Sequence, residues 1–560
     1  MANGKYNLID EKWIYALSKN GKAEKVSLKD VFLHAGDYID LGGETRLQDI
    51  SILRMLIAIS VTLLYRYDEN GNSSYLDDYE QAIERYAKVW GKGKFPESAV
   101  TEYFDKWYDR FFLFDSKYPF YQISLEDPDI EVVKWDEAEK NDQKNVKNFF
   151  NGRLLKFANG AYMNWMPISF INGRILQSNN KSSAFKDVTG EKEERVSYDE
   201  AARWIVYYNA FADCTVGKNQ KIETRGTQAK KETTNAGMTM PSRGMLLTPV
   251  GDNLFQTIML GSVLFDDRNE LYPTCIPAWE KEDRKSDKRI IPVPNDLAQM
   301  YTQQARRMYV VGENGYVPGI YVSAGEVYRD DLLFKNPAFV MVKNKKKDAK
   351  TEKTPAHCSD ASDIWKTIAY IAGDENSGIK KWIKVVEERE LLEEDRLIPF
   401  RITDIKYGAS SCSVEKTIED AVVMNRAFIK ENERQIAAAT EVESVKKIAD
   451  IIYVHGKEYG QCMGFDKKYN ALGSDLKRQY SDAAGKKILQ FAAGQIGLEE
   501  LRGEKIAIAR KIMDDFISDN AEALLHGKRK SGDRGSGISL GKVSLDFERK
   551  LRTIAKHQSN

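Results

Sequence analysis

Residues 434–459 read RQIAAATEVESVKKIADIIYVHGKEY, from Arg434 to Tyr459. The stretch is rich in alanine, contains no proline and carries the α-helical period, so it predicts one long helix. Working outward, Lys416–Glu431, Asp475–Ala493 and Glu499–Leu525 show the same character with short connections between them. A flexible link at Gly532–Gly541 leads to a last helix at Leu545–Lys556. Consecutive helices joined by short loops pack antiparallel, which predicts a C-terminal bundle of the four-helix type over 416–560.

Upstream of the bundle lies Tyr407-Gly408-Ala409-Ser410-Ser411-Cys412-Ser413, a Gly/Ser stretch within a junction drawn at 407–415. Before it, residues 1–406 mix helical and strand patterns. Tyr6–Ile14 reads as a short strand and turn, and Ser27 is placed to cap a helix with Asp30 three positions on, an imperfect capping box. Ile50–Tyr67 is a strongly apolar helix. Glu80–Val89 and Thr101–Phe111 are further helices with aromatics three and four apart. Ser197 caps another, with Glu200 completing the box and Ala201, Trp204, Ile205 and Tyr208 on one face. Asn253–Leu264 reads as a buried helix, and Leu297–Val311 mixes apolar and basic residues. Pro337–Val342 is β-like and runs into the Lys-rich 343–350 stretch, read as a hairpin tip. The fold class is therefore α+β: a large mixed N-terminal domain, then the bundle.

The chain has 560 residues, 42% of them hydrophobic and 11% aromatic, enough for large buried cores. Its 84 basic and 84 acidic side chains give a formal net charge of +0, whereas a freestanding nucleic-acid binder usually carries a basic excess. The first eight residues are polar, and the apolar run Ile50–Tyr65 contains Arg54 and is short for a bilayer, so a cytoplasmic protein without a membrane segment is expected. Cys214, Cys275, Cys358, Cys412 and Cys462 lie too far apart for a chelating or dithiol motif, so reduced cysteines and no bound metal or other cofactor are expected.

No catalytic signature is present. His34, His357, His455, His526 and His557 are scattered, and there is no H-E-x-x-H, G-x-S-x-G, Walker A or G-x-G-x-x-G sequence. Asp330-Asp331 and Glu393-Glu394-Asp395 are the acidic clusters a metal-dependent nuclease would draw on, although paired acids are common on solvated faces.

Several segments together resemble the CasA large-subunit family of type I-E CRISPR Cascade complexes. Asn7–Ile14 followed by Val26-Ser27-Leu28 is similar to its N-terminal signature, and Tyr118–Gln122 to its Pro-Phe step. Tyr198–Trp204 with Tyr207–Phe211 resembles a central helix of that family. Ser242–Pro249 followed by Leu254–Thr257 is similar to an Arg-Gly block, and Gln303–Arg307 also has a counterpart. The order and spacing of these segments along the whole chain carry the resemblance.

The resemblance implies a non-catalytic subunit that holds the 5′ handle of a CRISPR RNA and binds backbone and small partner subunits. It also implies that the chain reads a short PAM in double-stranded DNA, helps open the duplex for guide pairing into an R-loop, and docks a helicase-nuclease in antiviral defence. In such systems base pairing supplies the sequence specificity. Asn179, Asn180, Lys181, Phe185 and Lys186 fall in a loop resembling the one that docks on the RNA handle. Lys218, Lys221, Arg225, Lys230 and Lys231 occupy the place of the family's PAM-reading loop, with single glycines instead of a glycine run. Arg329 is the nearest counterpart of a lysine finger. Ser410, Ser411 and Cys412 align with the strand-splitting wedge, where the family often has Gln, and a domain linker is the other reading of that stretch. Arg306 and Arg307 are candidates for phosphate contact. Two alternatives stay open: a metal-dependent nuclease, and an RNA-binding scaffold unrelated to CRISPR.

Overall fold

The computed structural model describes residues 6–138, 149–158, 160, 162–171, 195–212, 239–266, 268–281, 289–291, 294, 296–328, 336–344, 351–358, 360–371, 377–393, 396–407, 414–463, 469–526 and 540–556.

The N-terminal part opens with β1 (Ile14–Ser18), β2 (Ala23–Val26), α1 (Leu28–Leu33), β3 (Tyr38–Leu41), α2 (Arg46–Arg66), α3 (Tyr79–Lys92) and α4 (Glu97–Trp107). It continues through β4 (Ile130–Lys134), β5 (Arg153–Phe157), β6 (Asn164–Pro167), β7 (Val196–Ser197), α5 (Tyr198–Phe211), β8 (Leu246–Pro249), α6 (Leu254–Gly261), β9 (Arg289–Ile291) and α7 (Leu297–Tyr301). Then come β10 (Arg306–Glu313), β11 (Tyr316–Ala324), β12 (Glu326–Tyr328), β13 (Met341–Lys343), β14 (Lys353–Pro355), α8 (Thr367–Ile371), α9 (Gly378–Glu388), β15 (Leu397–Tyr407) and β16 (Val414–Asn425). The C-terminal helices are α10 (Arg426–Lys430), α11 (Asn432–Cys462), α12 (Tyr469–Ala492), α13 (Leu498–Asp519), α14 (Ala521–His526) and α15 (Leu540–Lys556).

These strands make several small sheets, ordered β2-β1-β3, β10-β11-β6 with β7 also on β11, and β16-β15-β8. β12 pairs with β9, β13 with β14 and β4 with β5. The predicted Lys-rich hairpin has its stem in β13–β14, while residues 345–350 at its tip lie outside the described residues.

Ser27 closes a full capping box: its hydroxyl accepts from the Asp30 amide at 3.0 Å, and the Asp30 carboxylate accepts from the Ser27 amide at 3.1 Å. The box expected at Ser197 does not form. That hydroxyl donates to the Asp199 carboxylate at 2.6 Å and makes no cap bond to the helix. Asp199 is held beside the cap by ion pairs to Lys25 at 2.6 Å and Arg203 at 3.0 Å, where it takes the Ser197 hydroxyl.

The apolar segment near residue 50 forms α2, 21 residues long and apolar enough to cross a membrane by length and composition. All of its apolar window is buried inside the protein, and α5, α6 and α7 pack against it, which makes it the helix around which the N-terminal core is built. Even Arg54 is covered, its guanidinium 3.9 Å from the centre of the Tyr301 ring.

One correction concerns the start of the helical part. Lys416–Glu431 is not a helix: residues 414–425 form β16, fully paired with β15, and only Arg426–Lys430 turns helical. The helices from α11 onward pack side by side as expected, α11 against α12, α13 and α15, and their apolar faces join the main core.

Candidate nucleic-acid interface

The segment aligned with the wedge sits between the arms of a hairpin. β15 and β16 pair from Leu397↔Asn425 through Lys406↔Lys416, and after a register shift Tyr407 faces Val414. Alternate residues Ile398, Phe400 and Ile402 on one arm and Ile418, Val422 and Met424 on the other are buried, so the stem is anchored along one face. β8 covers the second edge of β15, and Arg401 ion-pairs with Asp40 of β3 at 2.5 Å. Ser410, Ser411 and Cys412 lie outside the described residues, but both ends of their segment are fixed by this ladder.

Near the middle of the stem, the buried Asp404 carboxylate accepts from the Cys358 amide at 2.8 Å and stands 3.2 Å from Nδ1 of the exposed His357. That hydrogen bond holds the His357 imidazole above its usual pKa. Burial pushes the Cys358 thiol up to about 11, so it is unreactive at neutral pH. Lysines on the stem are paired: Lys406 with Glu415 at 2.9 Å and Lys416 with Asp360 at 2.5 Å.

At its outer end the stem meets the roots of another candidate segment. The Tyr407 hydroxyl lies 2.9 Å from the Phe211 carbonyl and 3.0 Å from Ser242 Oγ. Ser242 Oγ is 2.6 Å from Thr239 Oγ1, and Thr239 also bonds the Ala210 carbonyl. Phe211 ends α5 just before residues 213–238, and Thr239 is the first described residue after them. Lys218, Lys221, Arg225, Lys230 and Lys231 lie outside the described residues, yet the two ends of their segment meet at Tyr407.

Arg306 and Arg307 are described, and their position corrects the expectation of surface phosphate contacts. They open β10 with relative exposures of 1% and 2%. Arg306 donates to the Ala305 carbonyl at 2.9 Å and the Ala212 carbonyl at 3.4 Å, while its amide donates to Asn209 Oδ1 at 3.1 Å. Arg307 donates to Gln304 Oε1 at 2.6 Å and lies 3.9 Å from Glu326. Buried guanidiniums engaged this way brace the corner where α5 ends. β12 leaves the same corner from Glu326 and ends at Tyr328, one residue before Arg329, which is outside the described residues.

Asn179, Asn180, Lys181, Phe185 and Lys186 also lie outside the described residues. Their segment leaves just after β6 and returns just before β7, two strands that both pair with β11. Asp330, Asp331, Glu394 and Asp395 are outside the description too. Among the described residues no group of three or more His, Cys, Asp or Glu is placed to hold a metal ion. Sequence reasoning found the Tyr407–Ser413 stretch but not the Tyr407 hydroxyl's role, because its partners are 196 and 165 residues away and leave no local signal.

The fold as a whole is shared with known proteins. The family model described as CRISPR-associated protein Cse1 matches residues 7–511, so the chain belongs to the Cse1 family. A CasA/Cse1 protein of Thermus thermophilus is 24% identical over 322 residues, 56% of this chain and 52% of that protein, so the chain spans about half the length of the curated relative it matches. Cse1 of Thermobifida fusca has the same fold with a TM-score of 0.73 at 17% identity, covering 99% of this chain and 98% of that one. Cse1 of Acidimicrobium ferrooxidans gives a TM-score of 0.69 at 17% identity, covering 100% and 99%. A chain of a structure titled "CRISPR RNA-guided surveillance complex" gives 0.60 at 13% identity, covering 98% and 99%.

Proposed function

We propose that this chain is the non-catalytic large subunit of a type I-E RNA-guided CRISPR surveillance complex. In this role it holds the RNA 5′ handle, reads a PAM in double-stranded DNA and helps part the strands for guide pairing. It then presents a docking surface to a helicase-nuclease, and all of this takes place in the cytoplasm. The observation that carries the reading is the family match across residues 7–511. The hairpin stem supports the strand-opening part: the segment aligned with the wedge starts and ends on a paired, core-anchored ladder, the kind of base a wedge needs to push into a base step. The neutral overall charge fits a subunit whose partners supply most of the nucleic-acid affinity.

The test is a gel-shift assay with a guide-loaded complex of the partner subunits, with and without this chain, on duplexes carrying randomised flanking triplets. Tight binding that needs both this chain and particular flanks supports the reading, and the selected flanks are the PAM. Binding unchanged by the chain sinks it, and metal-dependent cleavage by the purified chain would install the nuclease reading instead.

A further inference from the structure

We infer that Lys106, Arg110 and Lys117 form a phosphate-contact patch for nucleic acid, built on the rings of Trp107 and Tyr118. The inference rests on the large-subunit reading for the class of its ligand and deepens that reading by adding a contact surface. Trp107 ends α4, Arg110 closes the short 3-10 turn Tyr108–Arg110, and Tyr118 stands on the loop that follows. Two buried aromatics pin these segments side by side. Phe111 and Phe120 stack with ring centres 5.2 Å apart, and the Phe120 amide donates to the Phe112 carbonyl at 2.8 Å. The Asp115 carboxylate fixes the loop by accepting from the Lys117 and Tyr118 amides at 2.8 and 2.7 Å. The Arg110 guanidinium is thereby laid over Tyr118, 3.5 Å from its ring centre and 6.0 Å from that of Trp107. Lys106 stands 5.6 Å from the Trp107 ring and Lys117 5.0 Å from the Tyr118 ring, and both lysines are exposed.

Charge sets this patch apart. Among the described residues, none of its three cations makes an ion pair or a side-chain hydrogen bond, whereas Arg66, Arg203, Arg401 and Arg426 each hold a carboxylate. Asp105 and Asp109 are exposed neighbours in sequence, but neither pairs with them. Arg110 is half-buried, and both its Nη1 and Trp107 Nε1 are covered without an acceptor. Partly desolvating an unpaired charge costs free energy, and the ring contacts return only part of it. An anion seated on the patch completes it. Phosphate fits best: a guanidinium stacked on a ring presents its open N–H edge as a fork for phosphate oxygens, and the flanking lysines add point charge. Cations interleaved with aromatic side chains are the pattern of sequence-independent binding to nucleic-acid strands. An acidic peptide would meet the same charges, but it makes no use of the Trp107 and Tyr118 rings, which give bases a face to stack on.

The test compares the wild-type chain with Lys106→Gln/Arg110→Gln/Lys117→Gln in a guide-loaded complex and follows two affinities across a salt series. One is that of the chain for the complex carrying labelled RNA and no DNA, and the other is that of the assembled complex for a labelled target duplex. The triple variant is expected to lose about fivefold or more at low salt in one of them, with a salt slope smaller by about 0.7 per phosphate on single-stranded RNA or about 0.9 on duplex DNA. A loss in the first affinity assigns the phosphates to RNA, and a loss in the second assigns them to DNA. Ultraviolet cross-linking mapped by mass spectrometry is expected to join the affected strand to Trp107 or Tyr118. Unchanged affinities and slopes overturn the inference. A loss without a cross-link to either ring also overturns it and assigns the patch to an acidic protein surface. Thermal melting of each free chain accompanies these measurements. If the triple variant fails to fold, Lys106→Gln/Lys117→Gln, which alters only exposed side chains, decides by the same comparison with a smaller loss. A wild-type chain that neither joins the guide-loaded complex nor adds flank-dependent binding overturns the large-subunit reading instead, and the inference falls with it.

Discussion

Lys505 of α13 and Glu441 of α11 form an ion pair with both side chains fully buried. Lys505 Nζ also donates to Ser444 Oγ at 2.9 Å, and Arg502 donates to the second Glu441 oxygen at 3.1 Å. Burial holds the Lys505 ammonium below its usual pKa despite Glu441. Such a pair is expensive to break from one side, because Glu441 is then left buried and charged with only Arg502 to compensate it. Lys505→Met should cost about 3–5 kcal/mol in urea unfolding. The double variant Glu441→Met/Lys505→Met should recover most of that loss, since the desolvation penalty goes with the charges. Additive losses in the double variant would show that the two groups are not coupled.

Gly485 offers a test of helix packing against propensity. It lies inside α12, where replacing glycine by alanine in an exposed helix stabilises by about 0.5–1 kcal/mol. Here a Cβ at 485 would overlap the ring of the buried Trp365. Overpacking of this kind costs about 1–3 kcal/mol and exceeds the propensity gain. Gly485→Ala should therefore lower the melting temperature. A rise would mean that the Trp365 ring moves aside freely.

The terminal helix α15 should loosen in acid. Asp546 accepts from Lys550, the largest effect, and is also met by Arg549 and by His455 of α11 at 3.3 Å; together these hold its carboxyl at about 2. An unfolded Asp titrates near 3.9. With the folded value depressed, the stabilisation is fully present above about pH 4 and disappears as pH falls toward 2. Asp546→Asn should lower stability at neutral pH, and the gap between variant and wild type should close on acidification through that window. A gap independent of pH would assign the loss to packing instead.

The sequence displays what depends on neighbours a few residues away. The Ser27 box, the core helix α2 and the long helix through residues 434–459 are all local patterns, and the structure contains each of them. β16 is harder to read because its glutamates, its lysine and its alanine suit a helix. What makes it a strand is its pairing with β15, set by the buried alternation Ile418, Val422 and Met424 meeting a matching face. Arg306 and Arg307 look in sequence like a phosphate-binding pair. Their burial depends on Ala212 and Asn209, more than 90 residues away, and on Glu326. The corner gathered by Tyr407 is equally nonlocal, so the candidate site is legible in the sequence as separate segments and not as one place.

That corner sets what the basic residues of 213–238 should do. Lys218, Lys221, Arg225, Lys230 and Lys231 belong to a segment whose ends are pinned beside the hairpin. If they meet DNA phosphates, each such pairing releases condensed counterions, and the slope of log affinity against log salt is about 0.9 per phosphate on B-form DNA. Replacing all five by alanine in the assembled complex should weaken target-duplex binding at low salt and reduce the slope by about one for each phosphate that is no longer neutralised. The weakening should be alike for all flanking sequences, because phosphate pairing carries no base information. A loss confined to particular flanks would instead place some of these side chains against base edges. An unchanged affinity and slope would remove the segment from the interface.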